Sequence, residues 1–188
     1  DAMRFNTVIR DYWADNWVKR STDGSYIGDN IINTDGTNQT ITNTLVNGAT
    51  VTYNIMLQND SNLTETLTVT GSGATSGWTV SYYDGGTDIT VPILNGSYSR
   101  TSMAAGATYP IRMEIIAGGS LLGNDTITNT ILSQCSSNPS RRDMVRSVTT
   151  VLPNYTVDNR VALPPSYGSY EGNVITNTDG AGQTDTVI

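Results

Sequence analysis

Apolar and polar residues alternate along most of this chain. Val51, Tyr53, Ile55 and Leu57 share one parity against Thr50, Thr52, Asn54, Met56 and Gln58, as Leu67 and Val69 do against Thr66, Thr68 and Thr70. Trp78, Val80 and Tyr82 alternate with Thr79 and Ser81; Tyr109, Ile111, Met113 and Ile115 alternate with Arg112 and Glu114. Ile89, Val91 and Ile93 continue the pattern, and Pro92 among them marks an edge strand, because proline donates nothing to a ladder. Ile127 and Ile131, then Val145 and Val148, predict two closing strands. A period of two belongs to strands that bury one face.

Turn residues separate these runs: Asn47-Gly48, Asn59-Asp60-Ser61-Asn62, Gly71-Ser72-Gly73, Asp84-Gly85-Gly86, Asn95-Gly96, Ala105-Gly106 and Gly118-Gly119. No window of about 12 residues carries a helical stripe. Short strands with such regular breaks predict an all-β fold: an Ig-like antiparallel β-sandwich of about seven or eight strands with an extended C-terminal segment. Tyr53, Ile55, Leu57, Leu67, Trp78, Val80, Ile111 and Met113 are its expected core.

A repeat cuts across this layout. Thr7-Val8-Ile9, Tyr12, Asp15-Asn16, Val18, Gly24-Ser25-Tyr26 and Gly28 recur as Thr150-Val151-Leu152, Tyr155, Asp158-Asn159, Val161, Gly168-Ser169-Tyr170 and Gly172. Asn33-Thr34-Asp35-Gly36 and Gln39-Thr40 recur as Asn177-Thr178-Asp179-Gly180 and Gln183-Thr184. The offset is 143 residues (150 − 7), and 144 (177 − 33) after a one-residue insertion. The chain thus holds one period and the opening quarter of the next. A quarter of a domain cannot bury a core alone, so the tail is expected to pair with another body. Pro164-Pro165 stiffen the boundary between the copies. The expected division is an N-terminal extension or linker over 1–24, the sandwich over 25–152, and over 153–188 a linker and partial repeat that donates a strand to a neighbour.

Charge narrows the partners. A net charge of −7 disfavours nucleic acid, whose phosphates need clustered Lys and Arg. No apolar run approaches the roughly 20 residues of a membrane-spanning helix. No signal peptide opens the chain, and Asp1-Ala2-Met3-Arg4 reads as a mature end left by processing. A Thr-rich surface with only 14% charged residues is that of an extended secreted β protein, which predicts an extracellular or cell-surface location. Cys135 is the single cysteine, read as a buried thiol rather than an intermolecular bridge.

With no histidine, His-based acid–base catalysis, His metal ligation and Cys-x-x-Cys-His haem attachment are excluded. There is no nucleophile elbow, so the expectation is no enzyme and no cofactor. Asp84 and Asp88 around Gly85-Gly86-Thr87, and Asp29 and Asp35 about the repeated Asn-Thr-Asp-Gly, are the candidate calcium ligands. Neither pair has EF-hand spacing, and both read as turn residues that bond their own backbone. Sequons at Asn38, Asn59, Asn62, Asn95, Asn124 and Asn154 admit glycans. Tyr12, Trp13 and Trp17 are a candidate sugar platform or inter-subunit anchor. Tyr12 recurs as Tyr155, whereas Trp13 and Trp17 become Thr156 and Arg160, and the anchor is the preferred reading. With Tyr170, Val174, Ile175, Val187 and Ile188 of the tail, these three form the expected interface.

The stretch from Tyr26 to about Val151 resembles the Ig-like repeat domains of large secreted and cell-surface proteins of bacteria and archaea, the CARDB-type domains and their glycosidase-associated relatives. Gly48-Ala49-Thr50, Gln58-Asn59-Asp60-Ser61-Asn62, Gly77-Trp78-Thr79-Val80, Tyr82-Tyr83-Asp84, Ala104-Ala105-Gly106-Ala107-Thr108 and Arg142-Asp143-Met144-Val145 carry the resemblance. It implies a spacer, adhesive or assembly role and brings no catalytic residues. The resulting expectation is a structural subunit of an extracellular filament or surface array, a homopolymer joined head to tail by β-strand addition. The alternative is one repeat of a long tandem cell-surface adhesin or a carbohydrate-binding accessory module.

Overall fold

A computed structural model describes residues 1–4 and 7–153 of the chain. The alternating runs become strands: β3 (Thr50–Asn59), β4 (Glu65–Gly71), β5 (Trp78–Asp84), β8 (Thr108–Ala117), β9 (Thr126–Cys135) and β10 (Arg142–Val151). Four more join them: β1 (Ala14–Arg20), β2 (Thr40–Leu45), β6 (Thr87–Asp88) and β7 (Tyr98–Met103). Two five-stranded sheets result, in the orders β1-β3-β8-β5-β6 and β2-β10-β9-β4-β7. Pairing is antiparallel throughout except that β2 runs parallel to β10. The fold is an Ig-like β-sandwich. All eight expected core residues lie inside it, none more than 7% exposed.

The described residues hold ten strands because three strands lack the apolar alternation and β6 has only two residues. Strand β1 falls within the stretch 1–24 read as a linker, yet it pairs with β3 from Ala14 opposite Asn59 to Arg20 opposite Tyr53. The compact unit accordingly spans Asp1–Pro153. The buried parity of β1 is Ala14, Asn16 and Val18, and the polar Asn16 interrupts what would otherwise read as a strand.

The expected strand through Ile89, Val91 and Ile93 is instead helix α1 (Thr90–Asn95). Ile89 and Ile93 are buried and lie one helical turn apart, whereas Val91 is 69% exposed, so the apparent alternation was accidental. Pro92 sits in the first turn, where a missing N–H leaves no intrahelical bond unmade. The thiol expectation fits the structure: Cys135 is fully buried, and burial pushes its pKa up to about 11.

Strand β10 turns a different parity inward from the one its valines suggest. Asp143, Val145, Ser147, Thr149 and Val151 face the interior, while Val148 faces out. A mostly apolar core therefore contains a polar row, and Asp143 stands at its head.

Candidate functional site

Asp143 is fully buried and binds three residues, one on β1 and two in the loop that leads to β2. Its Oδ2 accepts the backbone N–H of Asn16 on β1 at 2.8 Å. Its Oδ1 accepts the backbone N–H of Asn33 at 2.9 Å and Nε2 of Gln39 at 2.8 Å. Asn16 returns the contact, donating Nδ2 to the Asp143 carbonyl at 2.8 Å, and its Oδ1 accepts the Ser133 hydroxyl of β9 at 2.7 Å. A buried carboxylate with several N–H donors makes strong, charge-assisted bonds. Burial raises the pKa of Asp143, and those donors oppose the rise.

The loop of residues 28–39 connects β1 in one sheet to β2 in the other, and its sequence explains its course. Gly28 has φ +106°, and a Cβ there would lie 2.7 Å from the Asn16 carbonyl oxygen. Asp15, also fully buried, holds the loop through Oδ2, which accepts the Asn30 N–H and Trp17 Nε1, each at 2.9 Å. Asn33 closes a turn by accepting the Gly36 N–H at 2.8 Å and donating Nδ2 to the Thr37 carbonyl at 2.9 Å. Its carbonyl accepts the Met144 N–H at 2.8 Å. Gly36, at φ +75°, passes against Arg146, where a Cβ would come within 3.1 Å of the arginine Cβ. Thr40 then donates to the Gly36 carbonyl and accepts from Arg146 Nε.

The site is rich in acceptors. Asp15 Oδ1 and Gln39 Oε1 are buried and accept no hydrogen bond from the described residues. Burial, with a smaller repulsion from Asp143, lifts the Asp15 carboxyl to about 6.

Asp15, Asn16, Gly28, Asn33, Gly36, Gln39 and Thr40 are the residues that fasten this segment, and all seven recur in the tail as Asp158, Asn159, Gly172, Asn177, Gly180, Gln183 and Thr184. In the first copy the pattern forms one strand, one docking loop and the entry to a second strand. Sequence reasoning missed the role of Asp143 as the common anchor. The recurrence of a polar Asp-Asn pair between apolar positions was the signal that could have found it.

The aromatic candidates are engaged within their own sandwich. Trp13 lies under the Arg141 guanidinium, 3.8 Å from its ring centroid, and its backbone bonds Ser61 and Asp60. Trp17 meets Tyr26 edge-on at 6.2 Å, and Tyr12 packs partly buried against the core. Tyr170, Val174, Ile175, Val187 and Ile188 lie outside the described residues.

The acidic turn candidates are occupied by local bonds. Asp84 accepts the hydroxyls of Tyr98 and Tyr109, Asp88 accepts the Thr90 N–H, and Asp35 accepts the Thr37 N–H. Asp29 accepts from Asn30 Nδ2. Among the described residues, no group of three or more acidic or cysteine side chains is placed to hold a metal ion. Of the sequons, Asn38, Asn62, Asn95 and Asn124 are exposed, whereas Asn59 is fully buried and donates to the carbonyls of Leu63, Met103 and Ala104.

No family model matches the chain, and no curated protein does. Solved structures similar to it include a family 123 glycoside hydrolase from Clostridium perfringens, with 10% identity, TM-score 0.44 and coverage of 64% of this chain and 24% of that one. BcpA, the major pilin subunit of Bacillus cereus, matches with 9% identity and TM-score 0.41, over 78% of this chain and 41% of the pilin. A FixG-related protein from Vibrio parahaemolyticus matches with 10% identity and TM-score 0.39, over 76% of this chain and 97% of that protein.

Proposed function

We propose that this chain is a non-enzymatic structural unit of an extracellular filament or surface array, in which Ig-like sandwiches are joined head to tail through the C-terminal partial repeat. One observation carries the reading: the tail reproduces the residues that fasten β1 and its loop into the sandwich. An isolated strand and loop cannot bury enough apolar surface to stand alone. In this reading the tail pairs with strands of another sandwich, and main-chain bonds supply the affinity. Contacts of this head-to-tail kind are heterologous and propagate into an open chain. The CARDB-type resemblance of the stretch 26–151 belongs to this reading, as do the low charge and Thr-rich surface expected outside the cell.

A second reading has the same observation behind it. The tail would open the next covalent sandwich of a tandem cell-surface adhesin or carbohydrate-binding accessory protein. In that case, too, the unit links rather than catalyses. Truncation after Pro153, which ends the compact unit, tests the joining role. The expected result is a folded monomer that no longer associates, measured by light scattering against the full chain. Filaments from the truncated protein would place the joint elsewhere.

A further inference from the structure

We infer that the place where β1 meets the loop of residues 28–39 is a binding site for a calcium ion, held by Asp15, Gln39 and the Asn16 carbonyl with Asp143 close behind. Such a site stands apart from any joint between sandwiches. Asp15 and Gln39 are both fully buried, and Asp15 Oδ1 and Gln39 Oε1 accept nothing from the described residues. Buried oxygens without a donor are rare in folded proteins, and each asks for an explanation. Gly28 marks the spot they share. A Cβ there would stand 3.0 Å from Gln39 Oε1 and 2.7 Å from the Asn16 carbonyl oxygen. The Asp15 carboxylate lies against the same turn: it accepts the Asn30 N–H, while the Ile31 N–H closes on the Gly28 carbonyl at 2.9 Å. Any side chain at position 28 would fill this cradle, and glycine leaves it open.

Charge calls for a cation there. Asp15 and Asp143 are fully buried carboxylates close enough to repel one another, and Asp29 adds a third negative charge at the rim. Among the described residues the ion pairs are Arg20–Asp23 and Arg112–Glu114, so neither buried carboxylate has a cationic partner. Buried charges are ordinarily paired or bound to a metal. Asp143 already accepts three N–H groups, so it supplies charge, while Asp15, Gln39 and Asn16 supply ligands. All of these are oxygens, which selects a hard cation, and two carboxylates match a divalent one. The irregular mixture of carboxylate, amide and carbonyl suits the flexible shell of calcium better than the strict octahedron of magnesium. Asp29 and Asn30 are exposed beside the turn, so water can complete the shell. Only two of the groups are carboxylates, and they lie far apart in sequence, so the spacing of the acidic turns did not show the site. Bound calcium holds both carboxylates ionised, which makes the calcium-free chain the reference state for any pH profile.

Titrating the chelator-stripped full chain with calcium chloride near neutral pH tests this. At calcium about a hundredfold above its dissociation constant, the melting temperature should rise by about 5–10 °C. In Asp15→Asn, which keeps an acceptor for Trp17 and Asn30, the calcium needed for half of that rise should increase about tenfold or more. Terbium, a calcium-like hard cation with its own luminescence, reads the location. Trp17 Nε1 donates to Asp15 Oδ2 at 2.9 Å, so exciting tryptophan should give terbium emission that calcium displaces and that Trp17→Phe largely loses. The absence of either signal in the parent chain overturns the site. A calcium response unchanged in Asp15→Asn, or terbium emission unchanged in Trp17→Phe, puts the ion elsewhere and overturns it as well. If Asp15→Asn fails to fold, the parent's calcium response and the terbium pair decide the matter.

Discussion

Asn16 and Asp143 hold each other at both their backbone and their side chains. The Asn16 N–H reaches Asp143 Oδ2, and the Asn16 amide reaches the Asp143 carbonyl, each at 2.8 Å. The two residues sit in opposite sheets, on β1 and β10, so this reciprocal pair ties the sandwich together at one edge. Replacing Asp143 with Ala would leave the Asn16 N–H, the Asn33 N–H and the Gln39 amide buried without an acceptor. The expected loss is at least about 3 kcal/mol, since each orphaned buried donor costs roughly 1–3 kcal/mol. A urea midpoint indistinguishable from that of the parent would mean that the segment 14–39 contributes nothing to the fold.

Asp15 gives the protein a definite response to pH. Its carboxyl titrates near 6 in the fold against 3.8 when unfolded, so between these values the folded state binds more protons. Stability contributed by this group is full at low pH and is lost as pH rises through about 6. The difference corresponds to roughly 3 kcal/mol at most. Asp143, raised by burial, acts with the same sign. Asp23, Asp35 and Asp88 are held below their ordinary value and act oppositely once the pH falls beneath it. The melting temperature should therefore rise between about pH 7 and pH 5 and fall again below about pH 4. In Asp15→Asn, which keeps an acceptor for Trp17 and Asn30, the rise should be much smaller. An unchanged pH profile in that variant would show that Asp15 is not the responsible group.

Trp78 is 7% exposed at the head of β5. Trp78→Ala is expected to cost about 3–5 kcal/mol in chemical denaturation. A loss under about 1 kcal/mol would contradict the packing of that strand.

The sequons separate by burial. Expressed in a glycosylating host, the chain should carry glycan at some of Asn38, Asn62, Asn95 and Asn124, and none at Asn59, whose amide is spent on three carbonyls. Peptide mapping reads this directly, and occupancy at Asn59 in folded protein would contradict the β3–β4 connection described here.

Strands β3, β4, β5, β8 and β9 were legible because each buries one apolar parity against the opposite sheet, which is the condition that makes alternation visible. Where the interior is polar, the signal vanishes. Asn16 breaks the apolar parity of β1; Asn43 separates Ile41 from Leu45 in β2; and β7 is nearly all polar with only Met103 buried. Helix α1 is too short for its period to show, so Ile89 and Ile93 pass as strand positions. The repeated strand-and-loop segment was legible only through its repetition. No single residue in it looks like a site, because each one bonds backbone, and the anchor Asp143 lies more than a hundred residues away in sequence.

Hydrogen exchange on the full chain, read at residues 12–20 and 155–163, tests the joining role most directly. In dilute monomer the first segment, paired with β3, should be protected and the second should exchange freely. On concentration into assemblies, 155–163 should gain protection approaching that of 12–20. Free exchange at 155–163 in assemblies that scatter light would contradict the account.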